Sequence, residues 1–256
     1  HEMTCRLLGS TAAAALVACA TVASAEAPDL ILYNGALLTM DDGAPTASAL
    51  AVTGNRIAAV GDDATVRATA GATTRQIDLG GKTVIPGLVD THIHAIRGGQ
   101  TFTFETYWFD NTTLSGAIDE LKAAAAERGP DQWVAVVGSW IPEQFEEARA
   151  PTAAELTEAL PANPAYVQSL YDYALVNAKG IAALGLDDPQ AELPDGIEVV
   201  RDASGKATGR INGSIEAFNT LFGQIVPFDA VQRQDSLRTF FATLNGYGLT
   251  GVIDPS

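Results

Sequence analysis

The sequence predicts an α/β protein: the first part of a (β/α)8 TIM barrel over residues 85–256, preceded by a small β-sandwich segment over residues 28–84. Three observations predict it. Before residue 85, short apolar runs crowd together as closely spaced strands do. After it, near-continuous apolar strands alternate with helical patterns, which is the rhythm of parallel βα units. The first of these later strands also ends in two histidines, and such barrels place functional groups at C-terminal strand ends. An open doubly wound sheet would carry a glycine-rich phosphate loop after its first strand. Here Gly98-Gly99 follows the histidines without that pattern.

The elements follow in order. Residues 1–25 read as a secretory signal peptide: Arg6 supplies a weak basic start, Leu7 to Ala20 is apolar, and Ala23-Ser24-Ala25 offers an A-x-A cleavage site. Leu16-Val17-Ala18-Cys19 resembles a lipoprotein lipobox, so lipid anchoring through Cys19 is the alternative. Export to a bacterial periplasm or the extracellular space is the expectation, with no transmembrane span once the leader is removed. Leu30–Tyr33 and Ala36–Met40 are strands broken at Asn34-Gly35, and Ala49–Val52 and Arg56–Val60 flank the hairpin signal Gly54-Asn55. Arg75–Leu79 alternates and Gly80-Gly81 turns the chain. Val84–Val89 is the first barrel strand. Leu114, Ile118, Leu121 and Ala125 recur at helical spacing until Gly129-Pro130. Residues 133–138 and 165–170 are strands, and between them Thr152 to Glu155 forms a capping box. An inserted hairpin is expected near residues 195–212, a helix face at Leu237, Phe240, Phe241 and Leu244, and a last strand at Thr250–Asp254.

Composition narrows the function. The chain has 15 Lys and Arg against 31 Asp and Glu, a formal net charge of −16. Phosphate binding needs a basic surface, so nucleic acid is excluded as a partner and anionic lipid is disfavoured. Both cysteines, Cys5 and Cys19, lie in the leader. The mature chain therefore has no disulfide and no thiol nucleophile.

The richest segment is Pro86-Gly87-Leu88-Val89-Asp90-Thr91-His92-Ile93-His94. On an extended strand, residues at i and i+2 share a face, so His92, His94 and Asp90 converge. Two of the chain's three histidines at one strand end suggest a metal site. Trp108, Trp140, Tyr171 and Tyr173 lie near strand ends or in the following loops and are candidates to line a substrate pocket. Glu143, Glu146 and Glu147 read as a solvated face, and Asp254 as a loop-capping acid.

The segment at 86–94, with the upstream strands D-L-I-L-Y-N-G and G-N-R-I-A-A-V-G, resembles the amidohydrolase superfamily. The segments P-T-A-A-E-L, Y-A-L-V-N and Y-G-L-T-G-V-I-D make it similar to the amidohydrolase-3-type branch, over residues 29–256. The resemblance implies a divalent metal, usually zinc, as one or two ions. His92 and His94 carry over as ligands, and Asp90 as a supporting acid behind them. It implies hydrolysis of a non-peptide C–N bond, in an amide or cyclic amide, by a metal-activated water. The family's remaining ligands, among them a lysine, two further histidines and an aspartate, are not assignable here, because the mature chain has no further histidine. Tyr173 stands near a place where relatives in this branch carry histidine.

Residues 85–256 are fewer than the roughly 250 that such a barrel needs. The chain is accordingly expected to be the N-terminal part of a longer protein, or to be completed by a missing C-terminal half, another chain or a homo-oligomer. The alternative function is a non-catalytic secreted binding or regulatory relative with a degraded metal site.

Overall fold

The computed structural model describes residues 26–255. The leader expected over residues 1–25, with Cys5 and Cys19, lies outside the described residues. The chain divides between Pro86 and Gly87 into two compact units.

The first unit runs β1 (Leu30–Tyr33), β2 (Ala36–Leu38), β3 (Thr46–Ala47), β4 (Ala49–Thr53), β5 (Arg56–Gly61), α1 (Asp63–Arg67), β6 (Arg75–Asp78) and β7 (Thr83–Val84). The strands form two sheets, ordered β5-β4-β1-β6 and β3-β2-β7. The hairpin read at Gly54-Asn55 joins β4 to β5, with Gly54 at φ +58° as its left-handed residue. A small core of Ile31, Ala49, Ala51 and Val66 lies between β1, β4 and α1. Asp62 caps α1, its carboxylate accepting from the Thr65 amide at 2.9 Å.

The second unit opens with β8 (Leu88–Asp90) and α2 (Ala95–Gly99), then α3 (Leu114–Arg128), β9 (Val134–Val137), α4 (Ala153–Ala159), β10 (Ala165–Ser169), β11 (Tyr173–Val176) and α5 (Ala178–Ala183). It continues with β12 (Glu198–Arg201), β13 (Ala207–Asn212), α6 (Ile215–Ile225), α7 (Ala230–Gly246) and β14 (Leu249–Val252). Five strands form one mixed sheet, β12-β13-β11-β10-β9, and β14 pairs with β8 in a separate two-stranded parallel sheet.

This corrects the expectation of a (β/α)8 TIM barrel: the sheets are open and do not close on one another. Such a barrel requires every strand to run parallel to the next. β9 and β10 obey, but β10 and β11 are antiparallel, with Ser169 opposite Tyr173. Only residues 170–172 join them, and a parallel crossover needs a dozen residues or more. The hairpin of β12 and β13 then pairs antiparallel to β11, with Ala174 opposite Ile211. The hairpin is thus part of the sheet.

The near-continuous apolar strands have a simple cause. The five-stranded sheet is covered on both faces, so neither parity needs to be polar. Val134, Val136, Ala165, Val167, Tyr173 and Leu175 face one cluster with Leu121 of α3 and Leu156 of α4. Ala135, Tyr166, Ala174, Val176 and Ile211 face the other, with Phe218, Leu221, Phe222 and Ile225 of α6. Asn177, fully buried beyond the end of β11, links the turns around it. Its Oδ1 accepts from the Ala165 and Gly180 amides at 3.0 and 2.8 Å, and its Nδ2 donates to the Leu160 and Asn163 carbonyls at 3.0 and 2.9 Å. β8 differs from β9 and β10: Leu88 and Val89 are 48% and 57% exposed. Among the described residues, no helix is long and apolar enough to cross a membrane.

Candidate functional site

The two histidines sit just beyond β8. The strand ends at Asp90, yet its ladder with the segment after β14 continues through Ile253 N to Asp90 O at 2.8 Å and Ile93 N to Ile253 O at 3.1 Å. Gly87 admits this pairing, since a Cβ there would collide with the Thr250 side chain. His92 and His94 lie side by side, ring centroids 5.7 Å apart and planes at 77°. Asp90 supports the backbone beneath them: its Oδ1 accepts from the His92 amide at 2.9 Å.

Asp254 comes to the same place from the other strand. Its Oδ1 lies 3.6 Å from His94 Nδ1, and its Oδ2 accepts from the Ile96 amide at 2.9 Å. The capping role expected of it is accompanied by a contact to a histidine 160 residues away in sequence, which no local pattern announces.

Beside His94 opens a cleft of about 330 Å³, lined by α2, the loop to Glu105, the ends of β9 and β10, α6 and Arg233 of α7. Its rim carries backbone in the left-handed region at Gly138 and at Leu170, with φ +68° and +42°, and Ser139 next to Gly138 has φ +65°. For the two non-glycine residues that conformation costs energy, and such strain concentrates at functional sites. Ser139 is held there by its Oγ, which accepts from the Trp108 amide at 3.1 Å. Gln168, also on the lining, is buried and fixed by the Tyr166 hydroxyl, which donates to Oε1 at 2.6 Å, and by its own Nε2, which donates to the Leu170 carbonyl.

Glu105 is the unusual acid of this cleft. It is largely buried, and burial pushes its carboxyl up to about 7, against a partial opposing effect of Thr101, whose hydroxyl donates to Oε1 at 2.6 Å. Its other oxygen, Oε2, accepts no hydrogen bond among the described residues. Burial, reinforced by the neighbouring Glu105 charge, raises the Tyr107 hydroxyl well above the usual phenol range. Nothing in the sequence marks Glu105, a lone acid in an aromatic, threonine-rich stretch.

The aromatic candidates separate. Tyr171 lines the cleft, its hydroxyl accepting from Arg97 Nη2 at 3.5 Å. Trp108, Trp140 and Tyr173 are buried in the core cluster of the sheet's other face. Trp108 and Trp140 pack edge-on with centroids 5.6 Å apart, and Phe145 completes the group. Trp140 Nε1 donates to the Gln168 carbonyl at 3.0 Å, while Trp108 Nε1 has no partner among the described residues. Arg210 stacks on the Tyr173 ring, 3.9 Å from its centroid.

Among the described residues, no group of three or more His, Cys, Asp or Glu side chains is placed to hold a metal ion. At the place where zinc was expected, the His92 and His94 imidazoles adjoin, and among the described residues no third donor group stands with them.

A profile described as the amidohydrolase family matches residues 75–256. The chain is 30% identical over 233 residues to an N-substituted formamide deformylase of Arthrobacter pascens, covering 88% of this chain and 42% of that protein. It is 28% identical over 232 residues to the exoenzymes regulatory protein AepA of Pectobacterium carotovorum subsp. carotovorum, covering 88% of this chain and 49% of that protein. A metal-dependent hydrolase of uncharacterised function from Pyrococcus furiosus shares the fold over 87% of this chain and 43% of its own, with a TM-score of 0.56 and 19% identity. The chain thus spans less than half the length of these relatives. The motif at 86–94, the family match over most of the chain and the shared fold place the chain in the amidohydrolase superfamily, in its amidohydrolase-3-type branch.

Proposed function

We propose that this chain acts as a ligand-binding relative of the metal-dependent amidohydrolases, secreted and without turnover of its own. The observation that carries this reading is the donor set at the end of β8. A catalytic zinc takes three protein ligands and keeps one open position. His92 and His94 supply two nitrogens, Asp90 is bound to a backbone amide, and Asp254 is bound to the Ile96 amide and faces His94. Among the described residues, the donor set therefore falls short of a catalytic zinc or a two-ion centre. What they leave is a cleft of small-molecule size. The similarity to a protein named as a regulator supports the same reading. Export rests on the leader-like residues 1–25, by cleavage after Ala25 or anchoring at Cys19.

A second reading has its own support. The similarity to a formamide deformylase and the paired histidines favour hydrolysis of a non-peptide C–N bond by a longer protein of which these residues form part. The two readings part on one assay. The purified chain, incubated with excess zinc and an N-substituted formamide, is followed for formate release. No zinc-dependent formate is the result expected. Release that a chelator stops and that His94→Ala abolishes would overturn the binding reading.

A further inference from the structure

We propose that the cleft beside His94 holds its ligand by a carboxylate, gripped by Arg97 and Arg233, with an apolar body attached; this rests on the reading of the cleft as a ligand site. The first observation is which arginines are left open. Arg233, half-buried in the second turn of α7, makes no side-chain hydrogen bond or ion pair among the described residues. Arg97 has only the Tyr171 hydroxyl, at the long distance of 3.5 Å. Both line the same cleft.

Elsewhere four of the described lysines and arginines meet a carboxylate. Arg149 meets Glu155 at 2.7 Å, Arg238 meets Asp235 at 2.7 Å and Lys179 meets Asp131 at 2.8 Å. With 31 acids to 15 bases, carboxylates are in excess. Two guanidinium groups that line one concave site and form no ion pair among the described residues are donors an anion can use. Arginine's planar fork also suits a carboxylate better than a point charge does.

The second observation is the rest of the lining. Val137, Leu170 and Phe222 give the cleft an apolar side, which suits a hydrocarbon or aromatic body. Glu105 is the acid on the lining. Burial pushes its carboxyl up to about 7, so below that pH it is mostly uncharged and repels an incoming anion less.

The test compares two molecules that differ only in the charged end. Calorimetric titration of the chain with 4-phenylbutyrate and with 4-phenylbutyramide is expected to show the acid binding at least tenfold more tightly. Arg97→Gln and Arg233→Gln are each expected to weaken the acid at least fivefold and leave the amide unchanged. Arg97 is exposed, so its variant remains informative if Arg233→Gln disturbs folding, which near-ultraviolet circular dichroism reports. Equal binding of acid and amide, binding of neither, or an acid preference that survives in the folded variants would overturn the proposal. Equal binding would leave the ligand cleft standing, whereas zinc-dependent formate release would remove the binding reading and leave the carboxylate preference untouched.

Discussion

Replacing Glu105 by glutamine should make the protein more stable at alkaline pH. The native carboxyl ionises at about 7, whereas the exposed carboxyl of the unfolded chain ionises at its ordinary 4.5. Between those values the unfolded chain has released the proton and the native state still holds it. The native state therefore binds more protons, and stability falls as pH rises through this window. The full span corresponds to about 3 kcal/mol, of which about 2 kcal/mol falls between pH 5.5 and 8. Glutamine keeps an oxygen that can accept from Thr101 and carries no charge at any pH. Urea unfolding followed by tryptophan fluorescence at pH 5.5, 6.5, 7.5 and 8.5 gives the difference between variant and wild type at each pH. That difference should grow by about 2 kcal/mol and level off above pH 8. A pH-independent difference would refute the argument, because it would mean that the carboxyl ionises alike in both states.

Asn177→Ala strands two buried amides and two carbonyls and should cost about 4 kcal/mol in urea unfolding. Arg149, aided by the Thr152 amide and hydroxyl, holds the Glu155 carboxyl down at about 2. The benefit is present above pH 4.5 and is lost as pH falls toward 2. Because the pair is largely exposed, Glu155→Gln should cost below about 1 kcal/mol at pH 7 and nothing at pH 2, measured by thermal unfolding. Asp254→Ala removes the acceptor of the Ile96 amide, so hydrogen exchange at that amide should accelerate at least tenfold, while Asp254→Asn should preserve most of the protection. Phe218→Ala, in the wholly buried face of α6, should cost about 3–5 kcal/mol.

Much of the local structure is legible in the sequence because its causes are local. The helix α3 stops at Gly129, which has φ +85°, and α4 starts with the Thr152–Glu155 box, both read from adjacent residues. The barrel expectation failed on a connection that was itself legible. Three residues between Ser169 and Tyr173 permit only an antiparallel return, but the apolar run of β10 and β11 conceals the reversal. In the site, i and i+2 spacing brought His92 and His94 together although the regular strand ends at Asp90. Asp254 beside His94 depends on the pairing of β14 with β8, a contact between distant segments. Trp108, Trp140 and Tyr173 illustrate the remaining limit: an aromatic near a strand end packs equally well into a core or a pocket, and only the fold decides. Glu105 carries no pattern at all, since its properties come from burial.

The central claim is that His92 and His94 do not complete a catalytic metal centre in this chain. Zinc content per chain, measured by plasma mass spectrometry after zinc loading and dialysis, tests it most directly. Retention well below one zinc per chain is the result expected. One or two zinc ions retained per chain, and lost in His92→Ala and His94→Ala, would contradict it.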